Sequence, residues 1–238
     1  MISSPSPDAN PPIEELLNSF SKGSARQRRT LLDSIEARSN ELAALGCKAL
    51  IPFDPNGDDW AAGWVLQVLQ RHQSEAINNI LPGGSKGWLN APSSCGIDFS
   101  PLQEELLKEN FESADRFTSS TLRKLAGEEA ESRGYVYYSE VQSIPSLDLA
   151  SLDRLWKVYS QGKFGFSIQA KLLSSLNGRY DRLWKRIGWK NDGVWTRYPS
   201  AFDWSLNAPE GHMPLTNQLR GVRLLHALLN HPGLLERT

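Results

Sequence analysis

The stretch that decides the reading runs from Leu152 to Pro214. It opens as LDRLWKVYSQGKFGFSIQAKLL (residues 152–173) and closes as IGWKNDGVWTRYPSAFDWSLNAPEGHMP (residues 187–214). In the first half, apolar residues recur at three- and four-residue spacing. LASLDRLWKVYSQG, SIQAKLLSSLNG and YDRLWKRIG therefore predict three helices, each stopped at or beside a glycine (Gly162, Gly178, Gly188). From Trp189 to Pro214 the period is lost. Three prolines, two glycines and three tryptophans predict a long loop kept in order by its aromatic side chains. Residues 156–238 carry 12 basic against 5 acidic groups, a surplus of +7, and hold five of the eight tryptophans. A basic, aromatic segment suits a flat, apolar, anionic molecule.

Upstream the pattern is helical as well. Residues 1–12, with four prolines and three serines, predict a disordered lead. IEELLNSF and ARQRRTLLDSIEARSNELAALG predict one helix pair, and GDDWAAGWVLQVLQRHQ and SEAINNIL a second, giving an N-terminal helical bundle over 13–81. Residues 82–97, rich in glycine, serine and proline, read as a linker to a second domain, 98–238. There PLQEELLKENF and ESADRFTSSTLRKLAG predict helices, the latter closed by Gly127. Residues 134–149 predict a loop with short helical turns, capped through Ser139 and Gln142, and LTNQLRGVRLLHALLNH a single terminal helix. No period-2 strand stands out. The expected fold class is all-α, with long ordered loops.

Composition removes several classes. A net charge of −1 lacks the basic footprint of a nucleic-acid binder. A mean hydropathy of −0.43, without an apolar run of spanning length or a signal-like start, sets the expectation of a cytoplasmic protein. Two cysteines, Cys47 and Cys95, suit a reducing compartment and form no disulfide framework. There is no G-x-S-x-G elbow, and no Lys-Ser or Lys-Thr follows Gly83, Gly84 and Gly87. His72, His212, His226 and His231 are scattered without a cysteine pair, so neither a zinc site nor a catalytic cofactor is expected.

The segment also carries D-R-L-W (153–156), F-G-F-S (164–167), G-W (188–189), W-x-x-Y (195–198) and S-L-N-A-P-x-G-H-x-P (205–214). With YVYYSEVQSIPSLDL upstream, these motifs make residues 98–214 resemble the core of the genomes-uncoupled-four family, regulators of magnesium chelatase in chlorophyll synthesis. The resemblance implies an all-helical core whose loops form an apolar surface for protoporphyrin IX or magnesium protoporphyrin IX. It also implies a non-enzymatic carrier that works with the large porphyrin-binding subunit of magnesium chelatase, as a monomer, in the cytoplasm or peripheral to photosynthetic membranes.

The chemistry agrees with that implication. Burying half of one macrocycle face at about 25 cal/mol per Å² contributes several kcal/mol, and arginine forks suit propionates. The expected contacts are Val136, Tyr137, Val141 and Ile144 in one loop, and Trp189, Trp195, Tyr198, Phe202, Trp204, Leu206, Asn207 and Met213 in the other. Trp156, Phe164 and Trp184 read as core. His212 reads either as a ligand to magnesium or as a hydrogen bond fixing the loop. Glu210 stands where family members often carry a cation, which moves the expected propionate partners to Arg197 and Arg220. The competing reading is an interaction scaffold whose aromatic surface grips protein rather than pigment. An enzyme acting on tetrapyrroles lacks an evident acid–base pair.

Overall fold

A computed structural model describes residues 11–81, 87–216 and 222–237. Within it the chain is all-α apart from one two-stranded hairpin. The N-terminal unit comprises α1 (Ile13–Lys22), α2 (Ala25–Glu36), α3 (Ser39–Ala44), a 3-10 turn at Gly46–Leu50, α4 (Trp60–His72) and α5 (Ser74–Ile80). Its helix starts follow the sequence. Ser24 accepts from the Gln27 amide while the Gln27 side chain accepts from the Ser24 amide, and Asp59 accepts from the Ala61 amide at 2.9 Å. The long second helix expected over 25–46 is instead broken at Ala37–Arg38 into α2 and α3.

The remainder holds α6 (Ser100–Leu107), α7 (Phe111–Ala126), α8 (Glu128–Arg133), a 3-10 turn at Tyr138–Ser143, α9 (Ser146–Val158), α10 (Phe166–Ser175) and α11 (Tyr180–Arg186). Strands β1 (Lys190–Asn191) and β2 (Val194–Trp195) follow, then α12 (Arg223–Leu229) and α13 (Pro232–Leu235). Gly127, at φ 115°, ends α7 as expected and also opens α8, which the sequence reading passed over. The turn at 138–143 is capped by Glu140, whose carboxylate accepts from the Tyr137 amide at 2.7 Å, not through Ser139 and Gln142. The hairpin arises within a loop because Asp192 and Gly193 both take positive φ, tightening the turn between Lys190 and Trp195. The expected single terminal helix is instead two short ones among the described residues, with Pro232 opening the second.

One continuous apolar core joins the two parts. Gln67 on α4 donates to the carbonyls of Leu106 (3.0 Å) and Tyr159 (2.8 Å). α4 meets α9 so closely that a Cβ on Gly63 would stand 2.3 Å from the Val158 oxygen. Near the C-terminal end, Arg237 reaches both Asp58 (2.8 Å) and the fully buried Asp153 (2.9 Å). Residues 1–10 of the expected lead and 82–86 of the expected linker lie outside the description. Within 87–97, Leu89 is buried and paired through its amide and carbonyl to the Gln103 side chain.

Candidate functional site

The site is a groove of about 640 Å³. Its floor comes from α7, where Asp115, Ser119 and Leu122 recur at four- and three-residue spacing and so share a face, with Arg123 beside them. One wall is the loop after α8, contributing Gly134, Tyr135, Val136 and Ile144. The opposite wall is the segment around the hairpin: Trp189, Trp195, Thr196, Arg197, Tyr198 and Phe202. Leu215, Thr216, Leu224 and Leu228 close the end. Tyr135 belongs to a polar cluster at the rim, with the Arg133 guanidinium 4.7 Å from its ring centre and 4.2 Å from that of Tyr137.

The aromatic wall is built in layers. Trp189 is buried, stacks parallel on Trp184 with 5.7 Å between ring centres, and donates from Nε1 to the His212 carbonyl at 2.7 Å. Trp195 leans on Trp184 at 5.6 Å, has the Lys190 ammonium 5.2 Å from its ring centre, and is 40 % exposed on the groove. Tyr198, Phe202 and Trp204 form a second cluster, with centres 5.5 to 5.8 Å apart. Arg123 and Arg197 line the groove, and no acidic side chain among the described residues pairs with either.

Of the residues expected from sequence, Val136, Ile144, Trp189, Trp195, Arg197, Tyr198 and Phe202 meet in this groove. Six others do not line it. Val141 is buried beneath the loop, and Tyr137 packs outward against Tyr135 and Arg133. Trp204 sits behind Phe202, its Nε1 donating to the Pro199 carbonyl at 3.0 Å. Leu206 turns its carbonyl to the Lys163 ammonium, the Asn207 amide donates to Ser205 Oγ, and Met213 is fully buried with its carbonyl accepting from the Gly165 amide. Arg220 lies outside the described residues. As expected, Trp156, Phe164 and Trp184 are core.

The SLNAPEGHMP run is thus an anchor behind the groove. Gln169 donates to the carbonyls of Gly211 (3.0 Å) and Pro214 (2.9 Å), pinning the C-terminal part of the run to α10. His212 makes the loop-fixing bond. Its Nδ1 lies 2.6 Å from the Ile187 carbonyl, its ring is buried against Phe202, and burial pushes its pKa down, which fixes a neutral imidazole donating from Nδ1. Glu210 faces Arg186 at 3.6 Å.

The fold and site define an all-helical protein with an open aromatic groove bearing two unpaired cations. Residues 92–232 match the model of the family described as GUN4-like, and the chain belongs to that family. It is 44 % identical over 173 residues to the Ycf53-like protein of Synechocystis sp., covering 72 % of this chain and 74 % of that one. It is 38 % identical over 144 residues to the chloroplastic tetrapyrrole-binding protein of Arabidopsis thaliana, covering 57 % and 54 % of the two chains. The GUN4 structure from Chlamydomonas reinhardtii matches with a TM-score of 0.58 at 38 % identity, over 61 % of this chain and 95 % of that one. The ligand-free structure of Arabidopsis thaliana GUN4 matches with a TM-score of 0.55, over 58 % and 99 %.

Proposed function

We propose that the groove binds a porphyrin, protoporphyrin IX or its magnesium complex, and that the protein is a non-enzymatic carrier that presents this ligand to the large subunit of magnesium chelatase and stimulates chlorophyll synthesis. The observation that carries the reading is the joint presence, in one groove, of aromatic walls and two unpaired guanidinium groups, Arg123 and Arg197. A dianionic, flat ligand satisfies both features at once: rings take the macrocycle and cations take the propionates. The name of the Arabidopsis relative supports the same ligand class.

Titration with protoporphyrin should give saturable tryptophan quenching and a shifted Soret band. Arg123→Ala and Arg197→Ala should each weaken binding by about 1–3 kcal/mol, the scale of a charge-assisted hydrogen bond. Full binding by the double variant would sink the assignment. Adding the loaded protein to magnesium chelatase should raise the rate of magnesium insertion. Saturable capture of a peptide without any coloured complex would favour the scaffold reading instead.

A further inference from the structure

Among the described residues Asp115 is the one carboxyl in the groove lining, and it is placed unlike the other acid of α7. Glu112 points outward and pairs with Arg116 one turn on. Asp115 is buried, 1 % exposed, with no cation bonded to it among the described residues. Each of its oxygens meets a different segment. Oδ1 accepts from the Leu215 amide at the end of the groove at 2.6 Å, and Oδ2 lies 3.3 Å from the Tyr198 hydroxyl in the hairpin-side wall. Segments 100 and 83 residues away in sequence are therefore fastened to the floor through one side chain.

The chemistry of these two partners is asymmetric. The Leu215 amide can only donate, so Oδ1 must accept. The Tyr198 hydroxyl can donate or accept, so Oδ2 can be a bare oxygen receiving that proton or an O–H giving one back. The carboxyl can thus lose its charge and keep both partners. Charge is unwelcome at this point for two reasons: the surroundings are dry, and the groove is suited to a doubly anionic ligand.

We propose that Asp115 is the positioning residue of the groove, fastening α7 to the hairpin-side wall and to the end of the groove, and that it takes up one proton from solvent as an anionic ligand enters, so that the occupied groove carries no negative charge on its floor. The proposal rests on the porphyrin reading for the identity of the ligand, but not for the fastening. Burial already moves the carboxyl to a pKa of about 7, against hydrogen bonds from Leu215 and Tyr198 that pull it down; Glu112 adds repulsion and Arg116 attraction. Among the described residues, the remaining charged groups on the groove are Arg123 on the same helix and Arg197 beside Tyr198. Tyr198 itself is held up at about 12 by burial and by the adjacent carboxyl, so it stays protonated throughout the working range.

The sign follows from linkage. A ligand that prefers neutral Asp115 binds better below its pKa and worse above it. Protoporphyrin affinity should fall about two- to fivefold between about pH 6 and about pH 8, the consequence of a pKa raised by about half a unit to one unit on binding. Asp115→Asn keeps an oxygen for Leu215 and offers an N–H to Tyr198, so it should bind as tightly as the wild type at low pH and show no such fall. Asp115→Ala, which cuts both fastenings, should weaken binding at every pH and speed hydrogen exchange at the Leu215 amide. Pigment-free protein gives an independent reading: the Asn variant should gain thermal stability over the wild type progressively from about pH 4 to about pH 7, where the unfolded wild type is ionised and the folded one must hold its proton, and the gain should level off above about pH 7. A wild-type affinity flat across this range, or an Asn variant retaining the slope, would overturn the proton coupling. Unchanged Leu215 exchange in the Ala variant would overturn the fastening. Absence of saturable porphyrin binding at any pH would remove the ligand reading and the coupling with it, while the exchange and stability measurements still decide the fastening.

Discussion

Gln169 illustrates how much of the site depends on side chains that never touch the groove. It is fully buried, and its amide nitrogen serves two carbonyls of the 205–214 turn. Gln169→Leu keeps the volume but strands both carbonyls, and should cost about 1–3 kcal/mol in urea unfolding, the desolvation cost of a buried acceptor left without a donor. It should also blunt ligand binding, because Trp189 hangs on the His212 carbonyl in the same turn. Trp195, Tyr198, Phe202 and Arg197, expected from sequence, line the groove, since rings and cations in a loop have few purely structural uses. Leu206, Asn207 and Met213, expected beside them, do not line it. The Leu206 and Met213 carbonyls are held by Lys163 and Gly165, more than forty residues upstream, and no local pattern announces such a pairing. Asp115 was invisible because an acidic residue on an amphipathic helix reads as part of its solvated face.

Among the elements, α7 was found but its role was not. Its apolar period marks which residues face inward, while the groove uses the border of that face, where Ser119 and Arg123 stand. Helix positions were otherwise well marked by spacing and caps. Their breaks were less so, because the one at Ala37–Arg38 carries neither a proline nor a glycine to announce it. The α4–α9 contact depends on one residue. Gly63→Ala forces a methyl group against the Val158 backbone and should destabilise the fold by about 1–3 kcal/mol, read as a lowered urea midpoint with an unchanged slope. Loop 87–97 is secured by Asp148, which collects hydrogen bonds from Ser93 and Ser94. Burial alone would raise that carboxyl, yet these bonds outweigh it and hold the pKa below the ordinary value.

For the whole molecule, the shared core and the Gln67 bonds predict a single cooperative unfolding transition, with far-UV circular dichroism and tryptophan emission changing together. An N-terminal unit that melted first would separate the two signals. The continuous core was not foreseeable from the glycine- and proline-rich stretch at 82–97, because composition reports chain flexibility and not the surface a segment packs against. Arg237 supplies a second long-range tie. Burial raises the Asp58 carboxyl, and the Arg237 guanidinium, helped by Lys157, more than reverses this, so the pKa lies below its usual value. A carboxylate held low in the folded state contributes stability that is present above its unfolded pKa and lost as pH falls through the folded one. Acid titration of thermal midpoints should therefore show a decline beginning below about pH 4, and Arg237→Ala should reduce that part of it.

The three indoles at 184, 189 and 195 give the molecule an optical signature. Trp184 and Trp189 lie within 5° of parallel, and Trp195 is inclined to Trp184 by 56°. Excitation is shared among chromophores at such distances, and their mutual orientation gives the near-ultraviolet spectrum rotational strength. A change in the angle of Trp195 would therefore change that spectrum. A coloured guest seated against that ring drains the shared excited state of all three, so one emission band monitors the wall's geometry and its occupancy without any added dye.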